Sequence, residues 1–137
     1  MKRLLFLPVC LLVLSCATSY KPEGNGGGYT DMPLGGGRYR IDVRGNGLTS
    51  MKTVQDIAFV HAADLALRSG YKYFLVLDSG QNVQTKYGTV SGTLVSANNH
   101  YTTLIVKFLA DGEAGVAEAI DAKKILSTLG PSVGYAP

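Results

Sequence analysis

Between Arg38 and Ser79 the hydrophobic period of the chain changes twice, and this alternation limits the folds open to it. In "RYRIDVRG", Tyr39, Ile41 and Val43 alternate with Arg38, Arg40, Asp42 and Arg44, the pattern of a strand with one buried and one wet face. After "GNGLTS" the period becomes helical from Met51 to Ser69, and Gly70 stands where a left-handed residue closes helices. His61, Asp64 and Arg68 share one sector of that helix with Thr53 nearby, while Ala58, Phe59, Ala62, Ala63, Leu65 and Ala66 spread over the other faces. The pattern predicts a mostly buried helix with one polar stripe. "YKYFLVLDS", residues 71 to 79, is apolar from Tyr73 to Leu77 and reads as a central strand. A strand, a buried helix and a second strand require a sheet with the helix laid on it.

The remaining segments extend that sheet. A polar connection from Gly80 to Lys86 leads into "YGTVSGTLV", then "SANNH", then "YTTLIVKFLA", and the two apolar pieces predict a hairpin. Asp111-Gly112 marks a turn, and "GVAEAI" is expected to add a short edge strand. Asp121 precedes "AKKILSTL" and Gly130-Pro131 follows it, so a short helix is expected between them. The order β-α-β-β-β-α over residues 38–137 predicts an α+β class: a single small domain, a mixed sheet and two helices packed on it. The 137 residues suit one core and a processed end.

That end has its own logic. Met1, Lys2 and Arg3 precede an apolar run from Leu4 to Leu14, which is followed by Ser15 and Cys16. The order is that of an export signal, and the run is short of the roughly 20 residues a permanent span needs. Val13-Leu14-Ser15-Cys16 resembles the bacterial lipobox, in which the cysteine thiol is alkylated by a diacylglyceryl group and the chain is cut before it. Residues 1–15 are therefore expected to be a removed signal peptide, with Ser15 flanking the cut and Cys16 as the lipid attachment site. Cys10 would leave with the signal, so the mature chain would hold neither a free thiol nor a disulfide. Loss of Lys2 and Arg3 lowers the formal charge from +3 to +1, and there is no basic run in the mature part to suggest nucleic acid. Ala17 to Gly37 holds seven glycines and few aliphatic residues, so residues 16–37 read as a lipidated N-terminus and a Gly-rich tether.

The residues that could carry chemistry are few. Gly45-x-Gly47-x-x-Ser50 follows a strand, opens a helix and has Asp78 at the end of the next strand, as a dinucleotide fold would. The third glycine is missing, however, and the first strand is half wet, so a turn ending in a Thr49 or Ser50 cap is the better reading. "GGGR" at 35 to 38 lacks the Lys-Ser/Thr of a phosphate loop. His61, Asp64 and Arg68 could handle a proton, but Asp64 and Arg68 at i, i+4 make an ordinary surface pair. His100 reads as a turn residue, and two distant histidines give no metal spacing. There is no Gly-x-Ser-x-Gly elbow, and the eight tyrosines suit strands and edges. No catalytic residue, cofactor or metal is expected.

The stretch "RYRIDVRGNGLTSMKTVQDIAFVHAADLALRSGYKYFLVLDSG" together with the closing "AIDAKKILSTLGP" resembles a family of small proteobacterial envelope lipoproteins, known mainly by Caulobacter locus-tag names and without an assigned activity. The shared parts are the strand running into Gly45-Asn46-Gly47, the Ala-Ala-Asp helix ending at Gly70, the strand closing on Asp78 and the final Asp-Ala helix. The resemblance implies an envelope address and carries over no catalytic residue. Ala17 after the lipidated cysteine fits outer-membrane sorting by analogy with enterobacterial lipoproteins. The expectation is a lipoprotein on the periplasmic face of the outer membrane, not an enzyme, attached through its lipid and serving a structural or protein-interaction role. The alternatives are a periplasmic ligand-binding or stress-sensing domain and, third, a small hydrolase.

Overall fold

The computed structural model describes residues 17–137, so the expected signal peptide, Ser15 and Cys16 lie outside the described residues. Five strands form one sheet: β1 Gly28–Gly35, β2 Arg38–Arg44, β3 Tyr73–Val90, β4 Thr93–Leu109 and β5 Ile120–Asp121, in the spatial order β1-β2-β4-β3-β5. The α+β class, the single domain and the order β-α-β-β-β-α from β2 onward are as the sequence predicts. All four strand pairings are antiparallel, so the expected mixed sheet contains no parallel pair of strands. β2 and β3 run in the same direction only because β4 lies between them.

Helix α1, Met51–Arg68, starts where Ser50 Oγ accepts the backbone N–H of Thr53 and ends before Gly70, whose φ is +86°. Its small residues Ala58, Ala62, Ala63 and Ala66 are fully buried, as are Val54, Ile57 and Val60. Buried small side chains let neighbours approach on both sides, the sheet on one and α2, Ala122–Val133, on the other. Ile41 and Val43 of β2, Phe74 of β3, and Leu104, Val106 and Phe108 of β4 complete the core.

Helix α2 is capped by Asp121, which accepts the N–H of Lys124, as expected. It does not stop at Gly130-Pro131 but runs to Val133 and closes on Gly134 at φ +77°. Proline disfavours a helical residue before it through a clash with that residue's Cβ, and Gly130 has none.

Two further expectations are corrected. The first is the tether. Residues 17–37 belong to the domain: β1 pairs along β2 from Gly28↔Arg44 to Gly35↔Arg38, and Tyr20 and Tyr29 pack on the core. The backbone N–H of Thr18 donates to Thr49 Oγ1 (2.7 Å), and that of Tyr20 donates to the Val133 carbonyl (2.7 Å). Gly27 and Gly28 serve close backbone approach, since a Cβ on either would strike the carbonyls of Arg44 or Pro22.

The second correction concerns Gly80 to Lys86, which forms no loop. β3 and β4 are continuous through Gly80↔Thr103, Lys86↔Ala97 and Val90↔Thr93, and the turn is Ser91-Gly92 with φ of 51° and 78°. Positive φ at both positions gives the hairpin turn whose twist matches its strands. Beyond the end of β2, where Arg44 faces Tyr101, the two strands leave the sheet as a ribbon paired only to each other.

Candidate functional site

Three places gather side chains that could act: a polar cluster around His61, a cleft beside a bulge in β3, and the projecting ribbon.

The first cluster arises because the polar stripe of α1 is covered by both ends of the described chain. Asp31 of β1 lies opposite Ile41, on the helix-facing side of the sheet, and its Oδ2 is 2.6 Å from His61 Nε2. The Tyr20 hydroxyl sits 3.0 Å from His61 Nδ1 and 3.1 Å from Asp64 Oδ2. The Tyr135 hydroxyl donates to Asp64 Oδ1 (2.9 Å), and Arg68 Nε is 2.9 Å from Asp64 Oδ2. Tyr29 stacks on the imidazole with ring centroids 3.8 Å apart, and Tyr20 meets Tyr135 edge-on at 5.2 Å. The expected Asp64–Arg68 pair is therefore present. Arg68 is exposed as expected, while Asp64 is largely covered by the two tyrosines that bond it.

The electrostatics follow from burial. His61 is 1% exposed, and burial holds its imidazole below the ordinary 6.5, against the opposing pull of Asp31. A neutral imidazole that donates from Nε2 to Asp31 has only an acceptor at Nδ1, where it competes with Asp64 Oδ2 for the single Tyr20 proton. Burial and then the charge of Asp64 push the Tyr20 hydroxyl far above its usual range, and burial and then the hydrogen bond to Asp64 raise Tyr135. An acid, a histidine and a hydroxyl in line have the outline of a nucleophile relay. The outline is closed over: Tyr29 covers the ring, Tyr20 is shared between His61 and Asp64, and the cleft beside the β3 bulge is lined by none of His61, Asp31 or Tyr20. Its chemistry is that of a clasp holding β1, the N-terminal segment and the C-terminus to α1.

The cleft lies beside a bulge between Val76 and Asp78, where Leu77 is the extra residue and β3 shifts register against β4. It measures about 450 Å³ and is lined by Gln55 and Phe59 of α1, Val76, Ser79 and Gln81 of β3, Thr102 and Leu104 of β4, and Ile120 of β5. It is open to solvent and mostly apolar, with two glutamine side chains at its rim.

The remaining sequence candidates are scattered. Asp78 is exposed on the bulge, and its Oδ1 accepts the N–H of the next residue, Ser79. It faces Ile105, whereas Gly45 bonds the carbonyl of His100, so the glycine turn and the acid lie about five residues, roughly 17 Å, apart along β4. With β4 also separating β2 from β3, no dinucleotide crevice forms. Ser50 is the cap expected of this turn. His100 is a strand residue, not a turn residue; its Nδ1 is 2.9 Å from the Thr49 carbonyl and ties the ribbon to the loop before α1. Among the described residues no group of three acidic, histidine or cysteine side chains could hold a metal, and no helix is long and apolar enough to cross a membrane.

The sequence reading missed Tyr20, Tyr29 and Asp31. A signal was there: Tyr20 and Tyr29 are the aromatic residues of a segment otherwise rich in glycine, out of place in a solvated tether. No protein-family model, curated protein or solved structure matches the chain.

Proposed function

We propose that this chain is a lipid-anchored envelope protein on the periplasmic face of the outer membrane, whose folded part is a non-enzymatic structural or protein-interaction module. The observation that carries the reading is the β3–β4 ribbon. It exposes Val83, Tyr87, Val90, Leu94 and Val95, leaves a strand edge unpaired on each side, and carries a single formal charge, Lys86, between Val83 and His100. Solvated edges of this length ordinarily carry more charge or a proline unless something meets them. The burial of His61 beneath Tyr29 supports the non-enzymatic part, because a relay needs a base that can reach a substrate.

Address and anchor rest on Lys2 and Arg3, the apolar run and the lipobox-like Val13-Leu14-Ser15-Cys16. Cys16→Ala should abolish incorporation of labelled palmitate in a bacterial host and leave the signal uncut. A wild-type chain that takes up no label would overturn the anchor. In-cell crosslinking from the ribbon followed by capture of the acylated protein tests the interaction module.

A second reading, a ligand-binding domain, is favoured by the cleft beside Leu77. Its size suits a small apolar ligand with one or two hydrogen-bonding groups.

A further inference from the structure

The N-terminus and the ribbon leave the domain at the same edge. Thr18 is buried, and its backbone and hydroxyl are held by Thr49 Oγ1, Asn46 N–H and the Gly26 carbonyl. The loop Gly45–Thr49 that holds it also braces the ribbon: Gly47 packs against Ala97, and His100 Nδ1 bonds the Thr49 carbonyl. Ala17 thus sits beside the foot of the ribbon, and the lipid-anchored reading attaches the acyl chains at the residue before it in the sequence. Ala97, which faces Lys86, lies about five residues from Gly92 at the turn, so the tip projects roughly 16 Å past that level.

The geometry points to the ribbon tip as a second membrane contact, docked in the headgroup layer of the phospholipid bilayer that carries the anchor. This rests on the lipid-anchored reading of Cys16. With Thr18 buried there is no long leash, and the acyl chains would pull this edge of the domain against the bilayer, ribbon foremost.

The composition of the ribbon changes along its length in the sense a bilayer requires. Near the foot stand Gln81, Asn82, Gln84, Asn98 and Asn99, with Val83 the one exposed aliphatic residue among them. Toward the tip stand Tyr87, Val90 and Leu94, exposed by 72, 62 and 69%, with Val95 beside them. Apolar side chains at the tip gain by leaving water, and a tyrosine suits a layer that is apolar on one side and wet on the other. Lys86 stands at the base of this apolar part, where its ammonium can meet lipid phosphates. The unpaired strand edges restrict the depth, because backbone groups without partners are not tolerated in hydrocarbon. They keep the tip among headgroups and water.

The lipidated full chain provides its own test. Lipidation consumes Cys16 and processing removes Cys10, so an introduced cysteine is the only thiol left to label. Leu94→Cys and Val95→Cys at the tip, and Lys123→Cys near β5 at the opposite end of the sheet, would carry an environment-sensitive fluorophore. Each acylated protein would be placed in phosphatidylethanolamine–phosphatidylglycerol vesicles, with and without a lipid bearing a nitroxide near the headgroup. The expected result is blue-shifted emission at both tip positions, with most of it lost to the nitroxide lipid, and neither effect at Lys123. Adding Val90→Asp should reverse the tip shift without releasing the protein from the vesicles.

Flotation and the intact mass of the same samples report the anchor separately. A chain without acyl groups would overturn the anchor and this inference together. An acylated, floating protein whose tip labels stay water-like would overturn the inference alone. So would tip labels that are blue-shifted on vesicles yet keep their emission beside the nitroxide lipid, which would place another protein, or a second copy of this chain, on the ribbon.

Discussion

Asp31 Oδ2 and His61 Nε2 lie 2.6 Å apart, joining the edge strand β1 to α1 across thirty positions of sequence. His61 is all but excluded from water, whereas the Asp31 side chain is one-third exposed, so water can replace the carboxylate only from the outer side. Asp31→Ala leaves the imidazole N–H with water at most as an acceptor, which should cost about 1 kcal/mol, the lower end of the range for a buried donor that loses its partner. Asp31→Asn keeps an amide oxygen in place and should cost less. Urea unfolding of the chain from Ala17 measures both, and an Asp31→Ala protein as stable as the parent would remove the clasp from the account.

The depressed imidazole makes stability depend on pH in a fixed direction. The unfolded chain takes up a proton on His61 below about 6.5, whereas the folded domain resists it until lower pH. The contribution of the neutral ring is therefore complete above 6.5 and is lost as pH falls from there toward the lowered folded value. Urea midpoints taken on both sides of 6.5 should fall on the acid side. His61→Gln, which cannot titrate, should flatten that part of the profile even if it lowers the whole curve.

The packing of residues 17–37 predicts the outcome of truncation. A chain beginning at Arg38 lacks β1, Tyr20, Tyr29 and Asp31. It uncovers the edge of β2 and the His61 face of α1 together. Cooperative unfolding should be lost, with aggregation or exchange-broadened amide spectra, while the chain from Ala17 melts as one unit. A well-dispersed spectrum from the shorter chain would return this segment to the role of a tether.

What was legible in the sequence and what was not divide by the range of the interaction. The start of α1 at Ser50, its end at Gly70 and the cap at Asp121 are set by neighbours a few residues away, and local chemistry shows them. β1 was hidden because its glycines and polar residues resemble a solvated linker, and only the pairing with β2 gives them a place. The outer ribbon was hidden for a related reason. Wet on both faces, it has no buried side to impose alternation, so "SGQNVQTK" looks like a loop. The polar stripe on α1 was visible as His61, Asp64 and Arg68, but its partners Tyr20, Asp31 and Tyr135 come from the two ends of the described chain.

The loop "RGNGLTS" gives a last, opposed pair of expectations. Neither Gly45 nor Gly47 has a positive φ, so the glycines are there for space, not for a left-handed turn. A Cβ on Gly45 would come within 2.7 Å of Cγ2 of the fully buried Val54, in the first turn of α1, and 3.0 Å of Cβ of Thr49, just before the helix cap. Overpacking of this kind costs about 1–3 kcal/mol, because a buried side chain must move into a filled core. A Cβ on Gly47 would come within 2.9 Å of Ala97 Cβ. That neighbour belongs to a two-stranded ribbon that can bend into solvent, so Gly47→Ala should cost under about 1 kcal/mol. Pairing Gly47→Ala with Ala97→Gly should recover most of the loss, since the second change removes the methyl group the first one strikes. Thermal melts of the single and double variants decide the order, and millimolar NAD or ATP should move none of them. A nucleotide that raised the parent's melting temperature and failed to raise that of Gly47→Ala would restore the phosphate-cradle reading of this loop.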